Sequence, residues 1–265
     1  MAFLIVFSFN CLLSWAQPSQ TTSHKGNLYF YWGWNTERFT KSDLHFKGPD
    51  HDFTLFDVVA KDRQSKFLIK DYFNPSRLSI PQFNFRLGYF ITDHYSISIG
   101  QDHMKYVMVP SQLVDISGSI RAGTAYDGTY DKESIRIATD LLKFEHTNGL
   151  NYSNLELRRL DPILTLHNLT MNLTTGIGLG VLIPRTDATL LGRARYDEYH
   201  LAGYSLGAVT GINFTFYDSF FIQSELKGGF IHMPDIRTTN SLLDKASQRF
   251  WYGQSNVVFG GIVRF

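Results

Sequence analysis

The chain has 265 residues, of which 43% are hydrophobic, 15% aromatic and only 18% charged. This composition excludes a disordered, charge-rich tail protein, and the net charge of +1 excludes the concentrated basic surface that nucleic acid binding needs. A mean hydropathy of -0.15 excludes a bundle of membrane helices, because each helix would need about 20 mostly apolar residues. The length allows one or two domains.

The first sixteen residues, MAFLIVFSFNCLLSWA, form an uncharged apolar segment that ends in Ser14-Trp15-Ala16. Small residues at this spacing are what a signal peptidase accepts, so residues 1–16 are predicted to be a cleaved signal peptide. The polar residues 17–26 are predicted to be a short N-terminal segment, and residues 27–265 the folded domain. The alternatives are a buried first element and lipid attachment at Cys11. Because Cys11 is the only cysteine, cleavage would leave no thiol for a disulfide or a metal site.

Apolar residues then recur at alternate positions in segments of about ten residues or more, which is typical of strands with one apolar face. Residues 169–183 show this best, and the opposite face there is mainly Gly, Thr and Asn. A soluble sandwich would also alternate, but its solvated face would be richer in Lys and Glu. Small polar side chains favour the interior of a narrow barrel, and the apolar face favours lipid. The uncharged stretches 162–184 and 201–217 are too rich in Gly, Thr and Asn for membrane helices.

Eight strands are predicted, at residues 27–39, 81–91, 94–109, 149–166, 169–183, 200–216, 219–232 and 249–265. Short turns at 92–94, 167–168 and 217–219 alternate with long polar connections at 40–80, 110–149, 185–199 and 234–248. Strand-like patterns inside 40–80 and 110–149 leave ten or twelve strands open as an alternative. The fourth strand changes phase between Leu157 and Leu164, which predicts a bulge near residues 158–162.

The last strand places apolar residues on one face up to the final residue, at Val257, Phe259, Val263 and Phe265. Together with the leader and the short–long alternation of connections, this resembles the small outer-membrane barrels of Gram-negative bacteria, of the outer-membrane protein A and W type. The resemblance implies an all-β, antiparallel transmembrane β-barrel with long extracellular loops and a periplasmic segment at 17–26. It also implies that Val257, Phe259, Val263 and Phe265 form a C-terminal signal for the barrel-assembly machinery. We further expect an exported monomer, integral to the bacterial outer membrane, in contact with its lipids and lipopolysaccharide.

Eight charged residues fall on the predicted interior face and are expected to pair with one another, because unpaired buried charges are costly. Such a network would plug the barrel, and the alternative is a polar conduit gated by the same pairs. The eight are Glu37, Arg86, Asp102, Glu156, Arg158, Glu225, Lys227 and Arg264.

No catalytic residue is predicted, and neither is a cofactor or a metal site. His103, His146, His200 and His232 lie near predicted extracellular strand ends, but the one His-x-Ser triplet, His94-Tyr95-Ser96, lies at the opposite end. The leading hypothesis is therefore a plugged barrel with an envelope-structural or surface-interaction role through its long loops. The alternatives are a small porin or transporter for hydrophobic or ionic solutes, and an outer-leaflet lipid-modifying hydrolase.

Overall fold

The computed structural model describes residues 23–66, 68–72, 74 and 81–265, so the predicted signal peptide and residues 17–22 lie outside the described residues. The described residues form fifteen strands and one short helix, α1 (Ile69–Tyr72). The strands are β1 (Leu28–Phe39), β2 (Ser42–Gly48), β3 (His51–Val58), β4 (Ala60–Lys61), β5 (Phe83–Phe90), β6 (Tyr95–Met108), β7 (Leu113–Ile120), β8 (Gly128–Arg136), β9 (Leu142–Leu166), β10 (Leu169–Leu182), β11 (Arg185–Leu190), β12 (Tyr196–Tyr199), β13 (Gly203–Phe216), β14 (Phe220–Arg237) and β15 (Lys245–Val263).

Eight strands close into an antiparallel barrel in the order β1, β5, β6, β9, β10, β13, β14, β15, and β15 pairs with β1 to complete it. The closing ladder runs from Leu28 opposite Val263 to Phe39 opposite Tyr252. Tight turns join strands at one end, the short-turn end, and long segments emerge at the other, the long-loop end. The predicted barrel of eight strands is confirmed, and the described strands within the long connections lie outside the barrel order.

Side chains alternate between the two faces of the barrel wall, as the sequence pattern predicts. On the outer face, Ile177, Leu179 and Leu226 are 66%, 59% and 64% exposed, although all three are apolar. On the inner face, Asn172 and Thr174 of the same wall are buried. A barrel that exposes aliphatic side chains and buries amides has the polarity of a protein whose surrounding solvent is lipid.

The two uncharged stretches form strands, within β9, β10 and β13. No helix in the described part of the chain has the length and apolar character required to cross a membrane. In β9 the register against β10 shifts, because Leu164 lies opposite Met171 whereas Pro162 lies opposite Asn172. One extra residue therefore bulges between Pro162 and Leu164, at the C-terminal edge of the predicted segment 158–162.

The long connections build a second structure on the barrel, which we call the β-cap. It comprises β2, β3, β4, β7, β8, β11 and β12 together with the ends of β6, β9, β14 and β15 that extend past the barrel. β15 continues into a sheet with β2, β3, β7 and β8, and β11 pairs with the start of β9. The sheet encloses an apolar core whose members are all nearly inaccessible, including Leu44, Phe46, Phe53, Leu55, Ile116, Phe144 and Ile236.

Ion pairs connect separate loops of the β-cap. Arg193 donates to Asp244 Oδ2 at 2.7 Å and also pairs with Asp50. Arg195 Nε donates to Asp187 Oδ1 at 2.8 Å. Arg193 and its two partners lie in three connections that are far apart in sequence. The cap is therefore a packed structure rather than a set of independent loops.

Candidate functional site in the barrel interior

Three layers of side chains fill the interior. The layer at the short-turn end is aromatic and apolar on one side and polar on the other, the middle layer is charged, and the upper layer continues into the core of the β-cap. The lowest layer consists of Tyr29, Tyr31, Phe90, Phe221, Val258 and Ile262. These residues come from four neighbouring strands, β14, β15, β1 and β5, so they fill one side of the lumen at this end.

The middle layer contains three bases and three acids, each at most 4% exposed. Alternation on β5, β6, β9 and β14 directs all of them inward, because residues two apart on a strand share a face. Equal numbers of opposite charges make the layer formally neutral, which reduces the cost of burying it. The six residues are Arg86, Asp102, Glu156, Arg158, Glu225 and Lys227.

Glu156 lies at the centre of this network. Its Oε1 accepts a hydrogen bond from Arg86 Nη2 at 2.8 Å and lies 2.7 Å from Lys227 Nζ. Its Oε2 accepts from Arg158 Nε at 2.6 Å. One carboxylate therefore contacts all three bases, which come from three different strands of the barrel.

The other two acids neutralise the bases from the remaining sides. Lys227 pairs with Asp102, and Arg158 pairs with Glu225. Asn256 Nδ2 donates to Glu225 Oε2 at 3.0 Å and so satisfies the second oxygen of that carboxylate. The network thus spans β6, β9, β14 and β15 across the lumen.

Uncharged groups satisfy guanidinium hydrogens that the acids do not reach. The hydroxyl of Tyr31 accepts from Arg86 Nε at 3.0 Å and from Arg158 Nη2 at 2.9 Å. Arg86 also donates to Ser98 Oγ at 3.1 Å and to Asn154 Oδ1 at 2.6 Å. Buried polar groups that are satisfied in this way hold fixed positions, so the network crosses the lumen as an ordered layer of side chains.

A cavity of about 30 Å³ lies beside the lowest layer, at the base of the network. Arg158, Tyr31 and Phe221 are among the residues that line it. The N-terminal segment crosses the same end of the barrel, where the His24 ring stacks on Phe90 with centroids 5.0 Å apart. Asp93 accepts hydrogen bonds from residues 23–25 and anchors this segment.

The structure places two of the eight predicted interior charges outside this network. Glu37 is buried but lies higher in the lumen, where its carboxylate accepts from Gln82 Nε2. Arg264 does not point into the barrel, which corrects the sequence prediction. It follows the last residue of β15, where strand alternation ends, and its half-exposed side chain donates to the Asp218 carbonyl at 2.9 Å.

The sequence prediction did not include the uncharged members of the network, which are Tyr31, Ser98, Asn154 and Asn256. Each falls at one of the alternate positions of its strand that point inward, so the period of two alone would have assigned it to the interior. Tyr31 carries an additional signal, because it is a large aromatic residue on a face that is otherwise mostly small and polar.

The four histidines near the long-loop end do not form a common site. His103 Nδ1 donates to Asn151 Oδ1 at 2.9 Å, and His200 Nε2 lies 3.2 Å from Asp235 Oδ2. His146 contacts Thr186 Oγ1 at 3.1 Å, the one hydroxyl partner among these histidines in the described residues. Burial in the cap core lowers the pKa of His146 to about 3, so this ring is neutral and out of reach of a substrate.

A closed antiparallel barrel of eight strands, apolar outside and polar inside, defines a transmembrane β-barrel of the outer-membrane class. No family model matches the chain, and no curated protein matches it. Among solved structures, the outer-membrane protein OprG from Pseudomonas aeruginosa is 10% identical, with 92% of this chain and 99% of that chain covered and a TM-score of 0.43.

Two further solved structures are outer-membrane proteins. AlkL is 9% identical over 94% of this chain and 95% of its own, with a TM-score of 0.40. Ail, the attachment invasion locus protein of Yersinia pestis, is 10% identical over 88% of this chain and 99% of its own, with a TM-score of 0.31. The class rests on the strand order of the closed barrel and on the polarity of its two faces.

Proposed function

We propose that this protein is an integral barrel of the bacterial outer membrane with a closed interior, and that it acts through surface contacts of its β-cap. The observation that carries the proposal is the complete network around Glu156, which joins strands on different sides of the lumen above an aromatic layer. A lumen filled by fixed, hydrogen-bonded side chains leaves no continuous path for solutes.

The β-cap supports the second part of the proposal. Its apolar core and its ion pairs between loops give a fixed outer surface, which is what a binding partner requires for recognition at low entropic cost. With the short turns on the periplasmic side, the cap faces the exterior of the cell. Lipopolysaccharide and the outer-leaflet lipids would then surround its base, and the barrel-assembly machinery would read the strand that ends at Phe265.

Planar-bilayer recording tests the closed interior. We expect the refolded wild-type protein to give no steady conductance. A double variant, Tyr31→Ala with Arg158→Ala, removes side chains from the lowest and middle layers and is expected to conduct. The variant Leu242→Ala, in the exposed tip of the cap, serves as the matched control and should remain silent. Steady wild-type channels would contradict the proposal and favour a small porin or transporter.

The same preparation tests the hydrolase alternative. No hydroxyl and histidine within hydrogen-bond reach are both accessible among the residues described above, so we expect no change in lipid A when the protein is expressed. Mass spectra of lipid A from cells with and without the protein provide the measurement. A new deacylated species that depends on the protein would assign it to the enzymes instead.

A further inference from the structure

The stagger of the barrel strands fixes the relative heights of residues on neighbouring strands. Residues that lie opposite one another in successive ladders form a row around the barrel. The row that contains Leu28 of β1 passes through the other strands in the order β5, β6, β9, β10, β13, β14, β15 and returns to β1 at Arg38, ten residues nearer the long-loop end. Each step along this row therefore rises by a little more than one residue, because the strands of a closed barrel are tilted.

The outer wall formed by β13, β14, β15 and β1 carries aromatic side chains toward the long-loop end. Trp251 is 61% exposed, and its ring lies 5.2 Å from that of Phe230 between centroids. Tyr204 is also exposed and lies 5.3 Å from the His232 ring. Leu206, one position closer to the short-turn end on the same face, is exposed and aliphatic. Aromatic residues above an aliphatic surface are typical of the level at which hydrocarbon gives way to lipid head groups.

Two arginines project from the same wall at this level. Arg249 lies opposite His232 on β14, and Arg38 of β1 lies opposite Gly253 of β15. Because the row rises from β15 to β1, Arg38 lies within about one residue of the height of Trp251. Arg249 lies two residues above Trp251 on the same face of β15. The two exposed guanidinium groups therefore lie on adjacent strands, at and just above the aromatic side chains.

No acid on the same face neutralises these arginines. In the part of the chain that the structure describes, neither Arg38 nor Arg249 forms an ion pair or a side-chain hydrogen bond. The outward positions of the paired segments 28–38, 204–216, 220–232 and 249–263 contain no Asp or Glu. An exposed wall with two arginines and no acid attracts an anion.

The acids closest to this wall in the chain or in register are directed elsewhere. Glu37 precedes Arg38 but is buried on the inner face. Asp43 adjoins the residue that pairs with Gln248, and its Oδ1 accepts from the Asp57 amide at 3.0 Å. Asp235, above the end of the β14 ladder, lies 2.9 Å from Lys245 Nζ. The positive charge of the two arginines thus remains available to a ligand.

We propose that Arg38 and Arg249 bind the phosphate groups of lipopolysaccharide in the outer leaflet. The lipid A part of this glycolipid carries phosphates on sugars directly above its acyl chains, which is the level of these arginines on the wall. A guanidinium donates two parallel hydrogen bonds to a phosphate, and the apolar wall around Leu206 would contact the acyl chains. This exposed apolar surface favours a lipid phosphate over a soluble anion. The inference rests on the proposed function, because it requires the long-loop end to lie at the outer leaflet.

Native mass spectrometry of the refolded protein in detergent micelles, titrated with bisphosphorylated lipid A, tests the proposal. We expect one lipid A molecule to bind per chain, and dephosphorylated lipid A to bind at least about tenfold more weakly, because charge-assisted hydrogen bonds are lost. Arg38→Gln combined with Arg249→Gln should weaken binding of bisphosphorylated lipid A by a similar factor. The matched control, Arg121→Gln combined with Lys132→Gln, removes two exposed bases of the β-cap and should leave the affinity unchanged.

The comparison of the two lipids uses the wild-type protein, so it remains decisive if the double arginine variant does not refold. Equal binding of phosphorylated and dephosphorylated lipid A would overturn the proposal. Equal affinity of the wild type and the arginine variant would overturn it too, as would an equal loss in the control. Steady conductance of the wild type would contradict the closed interior and leave the lipid measurement unaffected, so the two proposals fail separately.

Discussion

At the scale of single residues, the interior depends on which side chain each position can hold. Glu156 contacts three bases at once, so no other residue of the network has as many charged partners. Small positions are just as necessary, because the large inward side chains occupy space over neighbouring strands. Gly88 illustrates this need, since Tyr29 from β1 lies directly over it.

Glu156→Gln is expected to lower the free energy of unfolding by about 3–5 kcal/mol, because it leaves three buried bases with two acids. Denaturant titration of the refolded barrel in bilayers measures the change. Glu133→Gln, at an exposed position of β8, provides the control and should change stability by less than about 0.5 kcal/mol. Similar values for the two variants would show that the network is not a single coupled unit.

Gly88→Ala is expected to destabilise the barrel by about 1–3 kcal/mol through overpacking. The added Cβ would lie 2.2 Å from the Tyr29 ring, which the two adjacent strands hold in place. Gly253→Ala makes the same chemical change on the outer face, where no atom lies within 4 Å of the added Cβ. The same titration should show a smaller effect there, and equal effects would contradict the assigned packing.

At the scale of elements, exposed apolar side chains lie in two different solvents. The outer face of β10 contacts lipid, whereas the tip of the β-cap contacts water. Leu179 on β10 is 59% exposed, and Leu242 in the cap is 71% exposed. Exposure alone does not separate them, but their positions relative to the apolar band of the barrel do. The two leucines therefore offer a direct comparison of the two solvents.

Leu179→Arg is expected to cost about 2–4 kcal/mol, since a guanidinium near the bilayer midplane loses its hydration. Leu242→Arg should be close to neutral, because the new charge remains in water. Folding yield and unfolding free energy in lipid vesicles measure both variants. Equal tolerance of the two substitutions would mean that the outer face of β10 does not contact hydrocarbon.

The β-cap should lose stability in acid. Burial favours a raised pKa for Asp187, but the hydrogen bonds from Arg195 and Lys143 outweigh it and hold the pKa below its usual range. A depressed carboxyl pKa contributes stability above the unfolded value of about 3.9, and this stability is lost as pH falls through the folded value.

Limited proteolysis of the cap at neutral pH and near pH 3 measures this loss. We expect faster cleavage within the cap at the lower pH, with the barrel still protected. Asp187→Asn should cleave faster at neutral pH and show a smaller pH dependence. A wild-type cap that is equally resistant at both pH values would contradict the assigned role of these ion pairs.

At the scale of the whole molecule, the barrel and the β-cap share strands, because β6, β9, β14 and β15 pass from one into the other. The C-terminal residue contributes little to either part, since Phe265 is 88% exposed. Its expected role is to be recognised by the barrel-assembly machinery. A protein that has already folded no longer needs this recognition. Stability and assembly should therefore be separable at this residue.

Deletion of Phe265 is expected to leave the unfolding free energy of refolded protein within about 0.5 kcal/mol of the wild type. The amount of assembled barrel in cell membranes should nevertheless fall severalfold. Quantitative comparison of membrane fractions with in vitro refolding measures both effects. Normal assembly in cells without Phe265 would contradict its role as part of a C-terminal signal.

The sequence by itself determined the barrel, because a strict period of two fixes which face of each strand is apolar, and short turns fix which strands are neighbours. It also indicated which charged residues point into the barrel, because alternation assigns each residue to the inner or the outer face of its strand. Tertiary structure alone decided which charges meet, because Glu156 and Lys227 lie on different strands and their heights depend on the stagger of the closed sheet. For the same reason Arg264 falls outside the interior, since alternation loses its meaning where β15 ends. The apolar core of the cap was likewise beyond the sequence pattern, because Phe144 meets Phe46 of the β2–β3 hairpin only when connections far apart in the chain fold over the barrel.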